Sequence, residues 1–116
     1  MDATSLPTLP HLFAAGRARH VADSVIDVVG GRTYSAEALW REVARTVDAL
    51  NDLGVRAGDR VLVQCEKSVA VLVTYLACVH HGSVFLPLNT AYTDAEAQWI
   101  VDDATPGLVI DRKSVV

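Results

Sequence analysis

Glu66–Glu96 reads EKSVAVLVTYLACVHHGSVFLPLNTAYTDAE. A polar tripeptide, Glu66-Lys67-Ser68, opens it, and an apolar run of helical length follows and stops at Gly82. Ser68 is placed to cap that helix, because its hydroxyl can accept an otherwise unpaired N–H of the first turn. Gly82 suits the left-handed residue that closes a helix. Between them Val69, Val71, Leu72, Val73, Tyr75, Leu76, Cys78 and Val79 leave almost no polar stripe, which predicts a helix buried on nearly every side. A short strand, Ser83–Leu86, then runs into Pro87 and the loop Leu88–Tyr92. Thr93-Asp94-Ala95-Glu96 has the form of a capping box and predicts a second helix.

On the C-terminal side, the second helix turns Ala97, Ile100, Val101 and Ala104 inward and Asp102 and Asp103 outward. Pro106-Gly107 breaks it, and Leu108–Ile110 begins a strand. On the N-terminal side, Arg60–Cys65 carries Val61, Leu62 and Val63 in succession, the mark of a strand covered on both faces. Arg56-Ala57-Gly58-Asp59 is the turn before it. Further back, Leu39, Val43, Val47 and Leu50 share one face of a helix that Ser35 can cap, with Arg41, Glu42, Arg45 and Asp48 on the wet side. Ser24–Val29 and Arg32–Tyr34 read as a hairpin joined by a two-residue turn at Gly30-Gly31. His11–His20 has the spacing of a short helix, and Met1–Pro10 is a leader without periodicity. Strand, helix, strand, helix, strand defines an α/β fold, part of a doubly wound parallel sheet flanked by helices.

Composition sets the outer limits. The 116 residues are 51% hydrophobic, enough to fill one core, and a formal charge of −4 offers no basic footprint for nucleic acid. No run reaches the ~18 apolar residues of a membrane span. The N-terminus lacks the charged-then-apolar pattern of a signal peptide, so a cytoplasmic location is expected. The two cysteines, Cys65 and Cys78, lie in apolar surroundings and read as reduced core residues.

The residues themselves define no catalytic, cofactor-binding or metal site. There is no glycine-rich phosphate loop. His11, His20, His80 and His81 lack metal-ligand spacing, and His80-His81 falls where a helix end takes a polar or cationic cap. Asp102-Asp103 are adjacent on a helix, do not face each other, and read as a solvated face. Glu66-Lys67 stands at a strand-to-helix handover, the carboxyl edge where α/β sheets bind ligands, although a surface ion pair is the plainer reading. Ser83, Thr90 and Thr93 have no neighbouring base, and Trp40, Tyr75 and Trp99 read as packing residues.

Three segments carry a family resemblance. Thr33-Tyr34-Ser35-Ala36-Glu37-Ala38-Leu39 resembles the first signature of the adenylate-forming superfamily: acyl-CoA synthetases, luciferases and peptide-synthetase adenylation domains. Leu53-Gly54-Val55-Arg56-Ala57-Gly58-Asp59-Arg60-Val61 resembles their "LGV-x-x-GDRV" run. Gly82-Ser83-Val84-Phe85-Leu86-Pro87-Leu88-Asn89 is similar to their second signature, "GA-x-x-x-P-L/I-N/D". The order and spacing cover about Ser24–Ile110. Pro87-Leu88-Asn89-Thr90-Ala91-Tyr92-Thr93 is most similar to the malonyl-CoA synthetase version, whereas His80-His81 departs from the commoner Lys/Arg-Ala before the glycine.

The resemblance implies the N-terminal subdomain, incomplete, of an enzyme that activates a small carboxylic acid with ATP and Mg2+ and transfers it to coenzyme A. Malonate is the expected acid; other acyl, aryl or amino acids, and a stand-alone binding module, are the alternatives. The family's phosphate loop, ribose-binding Asp and catalytic Lys match no position here, so the fragment is expected to be inactive and to bind none of these cofactors. The signatures present are expected to be architectural. Residues 1–23 are expected as leader and short helix and 24–110 as the start of the adenylation domain. Asp111-Arg112-Lys113-Ser114-Val115-Val116 is what the sequencing-adapter run GATCGGAAGAGCGTCGTG encodes, with a TAG stop next. The tail is therefore expected to be adapter-derived, and the shortened chain is expected to aggregate.

Overall fold

The computed structural model describes residues 23–27 and 31–111. The expected leader, the helix at His11–His20 and residues 112–116 lie outside them. Two compact units, Met1–Glu42 and Val43–Val116, are distinguished.

In the first unit, β1 (Asp23–Asp27) pairs antiparallel with β2 (Arg32–Ser35). The innermost described partners are Asp27 and Arg32, and residues 28–30, which include Gly30 of the expected two-residue turn, lie outside the described residues. A register irregularity lies between Asp23 and Val25. Helix α1 (Ala36–Asp52) begins here and runs into the second unit. Its start is set locally: the Ala38 N–H donates to Ser35 Oγ at 3.1 Å. Leu39, Val43 and Leu50 are buried, Val47 is half-buried, and Arg41, Glu42, Arg45 and Asp48 are exposed, as the spacing predicts.

The second unit is built on β3 (Arg60–Gln64), β4 (Val84–Pro87) and β5 (Leu108–Asp111), all parallel, in the order β4-β3-β5. Helix α2 (Val69–His81) joins β3 to β4, and α3 (Asp94–Ala104) joins β4 to β5. The chain steps from β3 to one neighbour and then crosses to the other. Right-handed crossovers, the rule for parallel units, put α2 and α3 on opposite faces. The central strand accordingly buries three residues running: Val61, Leu62 and Val63 are at most 3% exposed. Each contributes about 1.5–3 kcal/mol by leaving water.

Both crossover helices carry the predicted caps. Val71 N–H donates to Ser68 Oγ at 3.2 Å, and Gly82 takes the left-handed conformation with its N–H on the Cys78 carbonyl at 2.9 Å. Thr93 and Glu96 form the full capping box.

Two expectations about burial fail. α2 buries only Val73, Leu76, Ala77 and Cys78; Ala70, Tyr75 and His80 are exposed and the rest are intermediate. α3 buries no residue, and Trp99 is 69% exposed rather than packed. An apolar composition states what a helix would gain from cover, not whether a neighbouring element supplies it. Among the described residues, none covers these outer faces.

Candidate functional site

Two of the three resembling segments, Leu53–Val61 and Gly82–Asn89, meet at the amino edge of the parallel sheet. Gly58 N–H donates to the Gly82 carbonyl at 2.8 Å, and a Cβ on Gly82 would touch the Ala57 Cβ at 3.4 Å. Asp59 closes its own turn, accepting the Arg56 N–H on Oδ2 at 2.8 Å, while its carbonyl receives the Val84 N–H that starts β4. Arg60 Nη1 donates to the Ala104 carbonyl at 2.7 Å, so a cation completes the C-terminus of α3. Gly107 is pressed onto Asp59, whose Oδ2 would lie 2.9 Å from an added Cβ. These hydrogen bonds and contacts shape the sheet and its turns.

The carboxyl edge is different. β3 sends the chain to one face and its neighbour β4 sends it to the other, and such a switch point opens a crevice beyond the strand ends. A crevice of about 620 Å³ lies there. Val63, Val71, Phe85 and Leu88 wall it with apolar surface, and Cys65, Glu66, Lys67, Asn89 and Thr90 bring polar groups. Tyr75 meets Phe85 edge-on, ring centroids 5.4 Å apart. On the opposite face a smaller crevice of about 380 Å³ lies between Leu62, Val109 and the α3 residues Ala97 and Val101, with Gln64, Asp94 and Asp111 among its polar lining.

The polar residues singled out from the sequence are distributed as follows. Glu66 and Lys67 are exposed at the crevice and form no ion pair with each other. Thr90 lines it; Thr93 is consumed in its cap; Ser83 is buried at the far edge without a well-formed hydrogen bond. Asp102 and Asp103 are both exposed, and Asp102 accepts from Gln98 Nε2 at 2.8 Å. His81 Nε2 lies 2.9 Å from Asn51 Oδ1, linking α2 to α1, and its Nδ1 is buried without a partner. Burial, aided by the Asp111 carboxylate, pushes the Cys65 thiol above its ordinary range. Burial also raises Cys78, partly offset by the Ser83 side chain.

Sequence reasoning did not find the crevice, because a switch point between β3 and β4 depends on β5 lying across β3 from β4. The signal that was available, Glu66-Lys67 at a strand end, marks one lip of it.

Among the described residues no three His, Cys, Asp or Glu side chains gather to hold a metal ion. The crevice also lacks a glycine-rich turn of free N–H groups able to cradle a triphosphate. The described lining does not by itself fit ATP and Mg2+. No described helix is long and apolar enough to cross a membrane.

Fold and crevice together define a parallel α/β domain of the doubly wound class with an open carboxyl edge. The chain belongs to the family described as AMP-binding enzyme, which matches residues 13–116. ATP-bound MatB from Rhodopseudomonas palustris is 40% identical over 84% of this chain and 20% of its own, with a TM-score of 0.71. The tenellin synthetase of Beauveria bassiana is 35% identical over 83 residues, 72% of this chain and 2% of its own length. The N-terminal subdomain of NpsA from Klebsiella oxytoca, in complex with 3-hydroxybenzoyl-AMSN, shares the fold at 20% identity and a TM-score of 0.83, over 96% of this chain and 28% of its own. The chain thus spans about a fiftieth of the curated synthetase and a fifth of MatB.

Proposed function

We propose that this chain is the N-terminal portion, residues 24–110, of an AMP-forming acid–thiol ligase of the cytoplasm. In this reading the whole enzyme joins malonate to ATP, releasing pyrophosphate and forming an acyl adenylate. Coenzyme A then displaces AMP to give malonyl-CoA. The observation that carries the ATP-dependent part of the reading is the 40% identity to ATP-bound MatB over 84% of the chain. The resemblance of Pro87–Thr93 to malonyl-CoA synthetases agrees with it. Residues of this chain build the sheet and one lip of the crevice; none is assigned a step in the chemistry, and none is assigned to nucleic acid.

A second reading has its own support. The curated relatives include the tenellin synthetase at 35% identity, which favours an adenylation domain of a larger synthetase acting on another acid. The two are separated by sequencing the source DNA past the Ile110 codon, expressing the continuous frame, and measuring pyrophosphate release. Malonate-dependent release with a coenzyme A thioester product is expected. Release driven by amino or aryl acids without that thioester would replace the first reading with the second. If the source DNA itself encodes Asp111–Val116 followed by a stop, the tail is not adapter-derived and the stand-alone binding module becomes the reading to test.

A further inference from the structure

The connection from β4 to α3 crosses the carboxyl edge between the two crevices, and little holds it there. Leu88 N–H still belongs to the sheet, donating to the Val63 carbonyl at 2.8 Å. Beyond it the loop is folded on itself: Ala91 N–H donates to Asn89 Oδ1 at 2.8 Å, and Tyr92 N–H to the Asn89 carbonyl at 3.2 Å. Among the described residues, one hydrogen bond ties residues 89–92 back to the sheet. Gln64 Nε2 donates to that same Asn89 carbonyl at 3.1 Å. Gln64 lines the smaller crevice and Asn89 the larger, so this bond reaches over the strand end from one face to the other.

We propose that Gln64 is a positioning residue, its side-chain amide fastening the Leu88–Tyr92 loop so that Asn89 and Thr90 form a fixed lip of the switch-point crevice. A single neutral, solvent-exposed hydrogen bond holds only weakly, so the loop opens and recloses rather than sealing the crevice. Ligand access at this edge is then set by a side chain that need not touch the ligand. The inference rests on the crevice being the ligand-binding edge of the proposed enzyme. Its test reads the loop and not the reaction, so either idea can fail alone.

Two thiols supply the readout. Cys65 lies in the crevice, and Cys78 is 0% exposed. Maleimide labelling of the 116-residue chain at one fixed pH, with each site followed by mass spectrometry, separates loop opening from general loosening. Gln64→Met keeps the length and the charge but removes the donor, so labelling of Cys65 is expected to quicken about fivefold while Cys78 stays protected. Asn89→Ala removes the loop's internal turn and sets the rate of an opened loop. Unchanged Cys65 labelling in Gln64→Met would overturn the proposal, and so would a matching rise at Cys78.

Discussion

Ser83 stands where the resembling signature carries alanine, and its hydroxyl is buried without a well-formed hydrogen bond. Its polar neighbour, the Cys78 thiol, is a weak partner that does not make up for the water the hydroxyl gives up. Ser83→Ala is expected to stabilise the chain by about 1 kcal/mol, read as a higher midpoint in urea unfolding. Gly107 is the opposite case. An added methyl would meet Asp59, and Asp59 cannot withdraw without releasing the Arg56 N–H. Gly107→Ala is expected to cost about 2 kcal/mol, and less in an Asp59→Ala background, a coupling that a double-mutant cycle measures. Cys78 gives a pH dependence. Its folded thiol titrates above the ordinary value of 9.0, so the unfolded chain loses its proton first. The stability this contributes is present below pH 9 and lost as pH rises through the folded value. Unfolding midpoints compared with Cys78→Ala between pH 8 and 10 should converge as the pH rises.

At the scale of elements, what was legible in the sequence was what is local. The caps at Ser35, Ser68 and Thr93 were readable because donor and acceptor lie three residues apart, so a tetrapeptide already holds the interaction. Val61-Leu62-Val63 likewise announced a strand covered on both faces. The outer face of α2 and the packing of Trp99 were misread because burial belongs to pairs of elements. Ala97, Ile100, Val101 and Ala104, by contrast, are the least exposed residues of α3, as their spacing predicts. The crevice escaped because strand order is nonlocal. α3 shows how far local information carries: it buries no residue, and its capping box and the Arg60 bond to Ala104 define its two ends. Thr93→Ala is expected to destabilise by about 1 kcal/mol, and Glu96→Ala in the same background to add little, because the two act as one unit. Amide exchange should quicken in the first turn of α3 before it does in β3. β4 is also informative. Val84 and Leu88 donate to β3, so alternation turns the N–H side of Pro87 outward. A residue without that N–H suits the free side of a strand.

At the scale of the molecule, the described surface carries large apolar side chains: Leu53, Tyr75, Val84, Tyr92 and Trp99 are each more than a third exposed. Exposed apolar area of this kind promotes self-association. Trp99→Ser is expected to raise the monomer fraction in sedimentation without lowering the unfolding midpoint, since a side chain 69% exposed contributes little packing. The two ends of the sheet differ in a way that bears on redesign. At the amino edge Gly58 and Gly82 hold positive φ, and Gly107 is pressed onto Asp59, so backbone conformation and contact specify what each position can carry. At the carboxyl edge the Glu66, Lys67 and Thr90 side chains line the crevice, and among the described residues none of them holds a hydrogen bond of the frame. A combinatorial library randomised at those three positions should therefore yield mostly folded members, whereas one randomised at 58, 59 and 107 should yield few. The same scaffold could then be offered many different lips for its crevice, with new ligand preferences reachable by selection while the frame beneath stays untouched.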